Sequence, residues 1–181
     1  MSNKPKKRKD NTMAALLEEK PRRGRPRRAV GRQSVYVALT PQQKVHLDQL
    51  AQYLPKSLSR ADLADLAIAT LAARMESLRQ AVADRDREIP EGIVDFESLY
   101  LLWDLPLPHD EKSEWTSIRV SPQQAIELGR IHGTFKIIFG TSRSQTFALA
   151  LAMLDQFLQM QPLPEKITLE QACQRIDHLY L

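Results

Sequence analysis

The sequence predicts a mainly α-helical protein built around one short two-stranded antiparallel β-ribbon. Three observations predict it. The 181-residue chain repeats a strand–helix–turn–helix order once, at an offset of 81 to 83 residues. Each copy contains a single strand, and a lone strand must find a partner for its backbone donors and acceptors. Most of the remaining apolar residues recur at helical spacing.

The repeat is read by comparing the chain with itself. Thr40-Pro41-Gln42-Gln43 recurs as Ser121-Pro122-Gln123-Gln124. At the same offset Val45 matches Ile126, Leu47 matches Leu128, Leu50 matches Ile131 and Leu54 matches Phe135. Ser59-Arg60 then matches Ser142-Arg143, and Leu66-Ala67 matches Leu149-Ala150, with two residues inserted in the intervening turn.

Copy 1 opens on residues 34–39, where Val35, Val37 and Leu39 alternate with Ser34, Tyr36 and Ala38, the period of a half-buried strand. In copy 2 Thr116, Ile118 and Val120 form the inward face, and Trp115, Ser117 and Arg119 the outward one. Thr40 and Ser121 are N-cap residues with Pro41 and Pro122 at the first helical position. The first helix of copy 1 runs to about Leu54, ahead of Pro55, with Leu47, Leu50 and Leu54 inward. Its counterpart carries Leu128, Ile131, Phe135 and Ile138, is weakened by Gly129 and Gly133, and stops at Gly140. Ser59 and Ser142 cap the second helices. That of copy 1 spans about Arg60 to Arg79 with Leu63, Leu66, Ala67, Thr70 and Leu71 inward. That of copy 2, Thr146 to Leu158, is apolar nearly all round, which is the mark of a buried helix.

Composition narrows the function classes. Hydrophobic residues make up 43% and charged residues 27%, enough for a packed core and too polar for a membrane span. With one cysteine, Cys173, neither an intrachain disulfide nor a four-cysteine zinc site is possible. His46, His109, His132 and His178 are scattered without metal-ligand spacing. No metal or other cofactor is expected. Neither a phosphate-binding glycine loop nor a nucleophile elbow is present, so an enzyme is not expected. No apolar stretch follows the basic N-terminus, so no secretory leader and a cytoplasmic protein are expected.

The net charge of +4 hides an asymmetry. Residues 1–33 hold 12 basic and 3 acidic side chains, and the other 148 residues carry a net −5. The sequence divides accordingly into a basic arm (1–33), copy 1 (34–87), an acidic and aromatic linker (88–113), copy 2 (114–161) and a C-terminal helix (162–181). The arm is too poor in large apolar groups to offset its chain entropy, so disorder is expected there, apart from a helical turn at Met13–Glu19. Such an arm beside an acidic body points to an acidic polymer, with nucleic acid first; a solubilising tail is the alternative. Within it Arg23, Gly24, Arg25, Pro26 and Arg27 form an extended arginine-rich segment of the kind that fits a narrow minor groove. It is similar to an AT-hook core. In the linker Phe96, Leu99, Tyr100, Leu101, Leu102 and Trp103 are too many large groups for a free tether; they dock on the helices or form a protein-partner patch. Asp95 caps a short helix there. At the C-terminal end Thr168-Leu169-Glu170-Gln171 reads as a capping box, followed by the stripe Leu169, Ala172, Ile176 and Leu179. This helix either covers the core or mediates self-association.

The order of short alternating strand, Thr/Ser-Pro, amphipathic helix, Gly140-Thr141-Ser142-Arg143-Ser144 turn and second helix resembles the ribbon-helix-helix (MetJ/Arc) class of DNA-binding proteins. Ser57-Leu58-Ser59-Arg60 is a looser version of that turn, without the glycine. The resemblance covers about 34–80 and 114–160, two tandem copies. It implies that the paired strands enter the major groove of double-stranded DNA and that their outward side chains meet base edges. Carried over, the base-reading residues are Ser34, Tyr36, Ala38, Trp115, Ser117 and Arg119. Arg119 is suited to guanine O6 and N7, Ala38 reaches only a thymine methyl, and Trp115 packs on a sugar or on the body. The phosphate contacts would be Ser59, Arg60, Ser142 and Arg143, at the N-termini of the second helices. Copy 1 is expected to pair with copy 2 within one chain, as in a few relaxosome accessory proteins of this class, with like-with-like homodimerisation as the alternative. The expected function is sequence-specific transcription regulation at the nucleoid. The alternatives are a partition or transfer-origin protein of a mobile element, and an antitoxin-like protein-binding module.

Overall fold

The computed structural model describes residues 31–86, 88–108 and 112–181. The helical turn expected at Met13–Glu19 and the Arg23–Arg27 segment lie outside the described residues. Strand β1 (Gln33–Leu39) pairs antiparallel with β2 (Glu114–Val120) of the same chain. Six α-helices complete the described fold: α1 (Pro41–Tyr53), α2 (Leu63–Ala81), α3 (Glu97–Leu102), α4 (Pro122–Phe139), α5 (Arg143–Met160) and α6 (Leu169–Tyr180). The protein is thus mainly helical with a two-stranded antiparallel sheet.

The register places Tyr36 opposite Ser117, Ala38 opposite Trp115 and Ser34 opposite Arg119. Because side chains alternate across a strand, Val37, Leu39, Ile118 and Val120 all turn to the core and are buried. The helix starts follow from capping chemistry. Thr40 and Ser121 accept from the amides of Gln43 and Gln124, and Pro41 and Pro122 follow at the first turn. Gly140 ends α4 at φ 70°, the left-handed region that glycine enters without a side-chain clash.

The α2 helix is the centre of the molecule. Every residue from Leu63 to Leu71 is buried, including faces the sequence pattern assigned to solvent. The reason is its neighbours: α4, α5, α6 and the ribbon all pack against it. Its alanines keep these approaches close. In its distal half Arg74 ties the helix to two other elements. Arg74 reaches Gln156 of α5 and the Tyr180 hydroxyl of α6 (3.1 Å), and its guanidinium lies 4.6 Å from the Tyr180 ring centroid. Gln156 in turn donates to the Trp103 carbonyl (3.0 Å), which fixes the linker to the same cluster.

The linker docks. Phe96, Leu99, Tyr100 and Leu105 are buried, and Phe96 meets Phe135 of α4 edge-on at 5.5 Å and Phe139 at a tilt at 6.2 Å between centroids. Asp95 accepts from the Ser98 amide (2.8 Å) at the start of α3, and hydrogen bonds from Ser98 hold its carboxyl below the usual range. Leu101 and Leu102, also expected to dock, are exposed. The docked Phe96 also explains why Ile138, expected inward, is exposed: the inward direction at the end of α4 shifts to Phe139. In α6 Ala172 and Ile176 are buried against the body while Leu179 is 36% exposed. Of the two roles expected of this helix, covering the core is the one its buried residues perform. Burial pushes the Cys173 thiol up to about 12, which leaves it a protonated, unreactive packing group.

Candidate nucleic-acid interface

The outward face of the ribbon brings six sequence-predicted residues together on one surface. Ser34, Tyr36, Trp115, Ser117 and Arg119 are exposed, and Ala38 is half-buried. Arg119 extends over the strand pair, 3.4 Å from the Ser34 hydroxyl. Tyr36 is 66% and Trp115 76% exposed, so Trp115 does not pack on the body. Its bulk stands opposite Ala38, the one small apolar residue of the face. The surface thus presents three hydroxyls, one guanidinium and two aromatic rings, a set able to donate, accept and stack.

The ribbon is held to the two second helices in different ways. On the copy 2 side the Ala38 amide donates to the Ser144 hydroxyl in the first turn of α5 (2.7 Å). On the copy 1 side the link is Arg32. Its guanidinium bonds the Arg119 carbonyl (3.1 Å), the Ala61 carbonyl and the carboxylate of Asp62, and lies 3.0 Å from Asp65. Asp65, 1% exposed, also accepts from the Ser121 amide (2.8 Å) at the start of α4. Burial raises the Asp65 pKa, against the lowering pull of the Ser121 amide and of Arg32. Sequence reasoning assigned Arg32 to the basic arm; the structure makes it the buried counter-ion of two carboxylates. The readable signal was the pair Asp62 and Asp65 in an apolar helix, since buried acids require a partner.

The two second-helix N-termini also differ. Before α5, Ser142 and Gln145 form a neutral reciprocal capping box, and Arg143 is exposed. His132 of α4 lies close by. Its pKa is held below 6.5 by burial first, then by the positive charges of Arg143 and Lys136, so this corner has positive potential. Neither His132 nor Lys136 was singled out from sequence. In copy 1 a short 3-10 turn, Arg60–Asp62, precedes α2. There the Ser59 amide and hydroxyl both donate to the Asp62 carboxylate at 2.6 Å. Arg60 forms an ion pair with Asp48 at 2.6 Å. An acid therefore occupies the place that the neutral Gln145 holds in copy 2.

Among the described residues no group of His, Cys, Asp and Glu side chains is placed to hold a metal ion. No single described helix is long and apolar enough to cross a membrane. No family model, curated protein or solved structure matches the chain.

Proposed function

We propose that this chain is a sequence-specific double-stranded DNA-binding protein, a tandem ribbon-helix-helix regulator that reads the major groove with the outward face of β1 and β2. One observation carries the reading: the six outward side chains form a single surface of base-reading chemistry on a two-stranded ribbon, with a positive helix N-terminus beside it. A two-stranded ribbon has the width that the major groove admits. Arg119 is its principal base reader, pairing in two-pronged fashion with a guanine, and Ser34 and Ser117 supply adaptable hydroxyls. Tyr36 and Trp115 contact thymine methyls and sugars. The Arg143 corner anchors a phosphate, assisted by the α5 dipole. Residues 1–30 add sequence-independent phosphate contacts, with Arg23–Arg27 in an adjacent minor groove.

Because the two strands differ in sequence, the half-sites they read are unequal. Arg119→Ala is expected to relax base preference at one position while random-sequence DNA is bound nearly as well. An equal loss on both DNAs would remove Arg119 from the reading role. Removing residues 1–30 is expected to flatten the salt dependence by about 0.9 in log–log slope for each phosphate that the arm neutralises.

A second reading, a protein-partner module, is favoured by Val94 (81% exposed) and Leu101 (68% exposed) on the linker. Charged substitutions at these two positions would abolish partner binding and leave DNA binding intact.

A further inference from the structure

Between α1 and α5 the surface opens into a cleft of about 570 Å³, within the roughly 300–1,000 Å³ of small-molecule sites. Its floor is Ala148, Leu151 and Ala152 of α5, and Val45 of α1 and Leu107 of the linker flank it. The two halves of the molecule differ in what covers this place. In the other half Asp65 and Pro122 stand for Ala148 and Pro41, and Ile167 and Leu169 at the start of α6 line the groove. The body of α6 then packs along α2. Beside α1 and α5 the linker takes that position, and the exposed Pro106-Leu107-Pro108 borders the opening without closing it.

Two polar groups of the cleft lack a full set of partners. The Tyr100 hydroxyl belongs to a side chain only 2% exposed, borders the cleft and has no hydrogen-bond partner among the described residues. Burial alone pushes its pKa up, so it stays a protonated donor. Asp155 stands at one end. Its Oδ1 accepts from Gln159 one turn on (2.9 Å). Among the described residues its Oδ2 has only the His46 imidazole, at 3.6 Å, beyond a hydrogen bond. Apart from that histidine, Asp155 is the only charge-bearing side chain among the described residues that line the cleft. The corresponding position in copy 1 is Ala72, so the fold itself does not require an acid here.

We propose that this cleft binds a small organic cation, with its apolar ring system on Ala148, Leu151 and Ala152, its protonated amine on the Asp155 carboxylate, and the Tyr100 hydroxyl bonded to its body. Charge complementarity decides the class. An anion would be repelled by Asp155, and a neutral ligand would leave Oδ2 without a charged partner. An ammonium group gives that oxygen a charge-assisted hydrogen bond. Dimensions set the size. Seven residues of helix separate Ala148 from Asp155, about 10 Å, which is the length of a fused bicyclic ring carrying a short amine arm. None of the six outward ribbon residues lines the cleft, so this site does not rest on the DNA-binding reading.

The test is calorimetric titration of the full-length protein, without DNA, with three indoles of one shape: tryptamine (a cation), tryptophol (neutral) and indole-3-propionate (an anion). The chain carries +4 overall, so nonspecific charge attraction favours the anion, whereas the cleft reverses that order. Tryptamine is expected to bind one to one with a Kd of about 1 mM or below. Tryptophol should bind about fivefold more weakly, and indole-3-propionate not measurably. Asp155→Asn, which removes the charge, and Ala152→Leu, which fills the floor, should each weaken tryptamine about tenfold. Trp115→Ala, on the ribbon, should leave its binding unchanged. Unchanged circular dichroism verifies the fold of each variant. No binding of tryptamine up to about 5 mM, equal binding of all three indoles, or an Asp155→Asn protein that binds tryptamine as well as the wild type overturns the proposal. Loss of binding in Trp115→Ala would place the indole on the ribbon and overturn it equally.

Discussion

In copy 1 the second helix is entered through a 3-10 turn capped by the carboxylate of Asp62, whereas in copy 2 it starts at once from a box closed by the neutral amide of Gln145. The first four amides of any helix lack an intrahelical partner and carry the positive end of its dipole. Copy 1 answers that charge from inside the protein, with two acids that then need Arg32. Copy 2 leaves it facing solvent beside Arg143, Lys136 and His132. The same backbone plan thus yields a closed, structural corner and an open one suited to an external anion.

The largest effect should come from opening the closed corner. Arg32→Ala leaves the Asp62 and Asp65 carboxylates buried without their counter-ion, an arrangement that costs about 3–5 kcal/mol when one partner of a buried pair is removed. Urea unfolding should show this, whereas Ser144→Ala, which removes the corresponding tie on the copy 2 side, should cost about 1 kcal/mol. Equal, small losses would mean that Arg32 is not a structural counter-ion. Next comes DNA affinity. Arg143→Ala should lower it about tenfold, the size expected for a charge-assisted hydrogen bond, and reduce the salt slope by about 0.9. Arg60, already paired with Asp48, should change both much less. If the two variants behave alike, the distinction between the corners is wrong for binding.

A smaller effect concerns the helices themselves. Gly133→Ala should raise stability by about 1 kcal/mol, since the added Cβ meets nothing; a decrease in thermal stability would reveal a packing role inside the chain. The finest test is the titration of His132, which copy 1 replaces with Ala51. Its native pKa lies below the unfolded 6.5, so the native state binds fewer protons and stability is lost as pH falls through 6.5 towards the native value. A phosphate beside Arg143 would offset the local positive charge and raise that pKa. DNA affinity should then increase as pH falls through the same window. NMR titration with and without DNA reads this directly, and an unmoved His132 would place the phosphate elsewhere.

Much of this was legible in the sequence because it is local. Alternation fixed which strand residues face out, and the caps at Thr40, Ser121, Ser142 and Thr168 follow from side-chain chemistry within three residues. Linker docking was legible as an excess of aromatic residues. What was hidden depends on packing between distant segments. Periodicity gave α2 an outer face, but α6 and α4 cover it. Arg32 looked like one more cation of the arm, because Asp62 lies 30 residues away in sequence. Ile138 looked inward until Phe96 drew Phe139 to that place. For the interface, sequence supplied the six ribbon residues but not the difference between Ser59 and Ser142, which rests on where Asp48, Asp62 and His132 are carried by the fold.

The measurement to make first is a selection of the full-length wild type and the Arg119→Ala variant on a random duplex pool at low protein concentration. The expected wild-type result is one short element without internal two-fold symmetry, as two unlike strands require, with a guanine whose preference disappears in the variant. No enrichment, or a palindromic element unaffected by the variant, would contradict an intrachain ribbon as the reader of DNA.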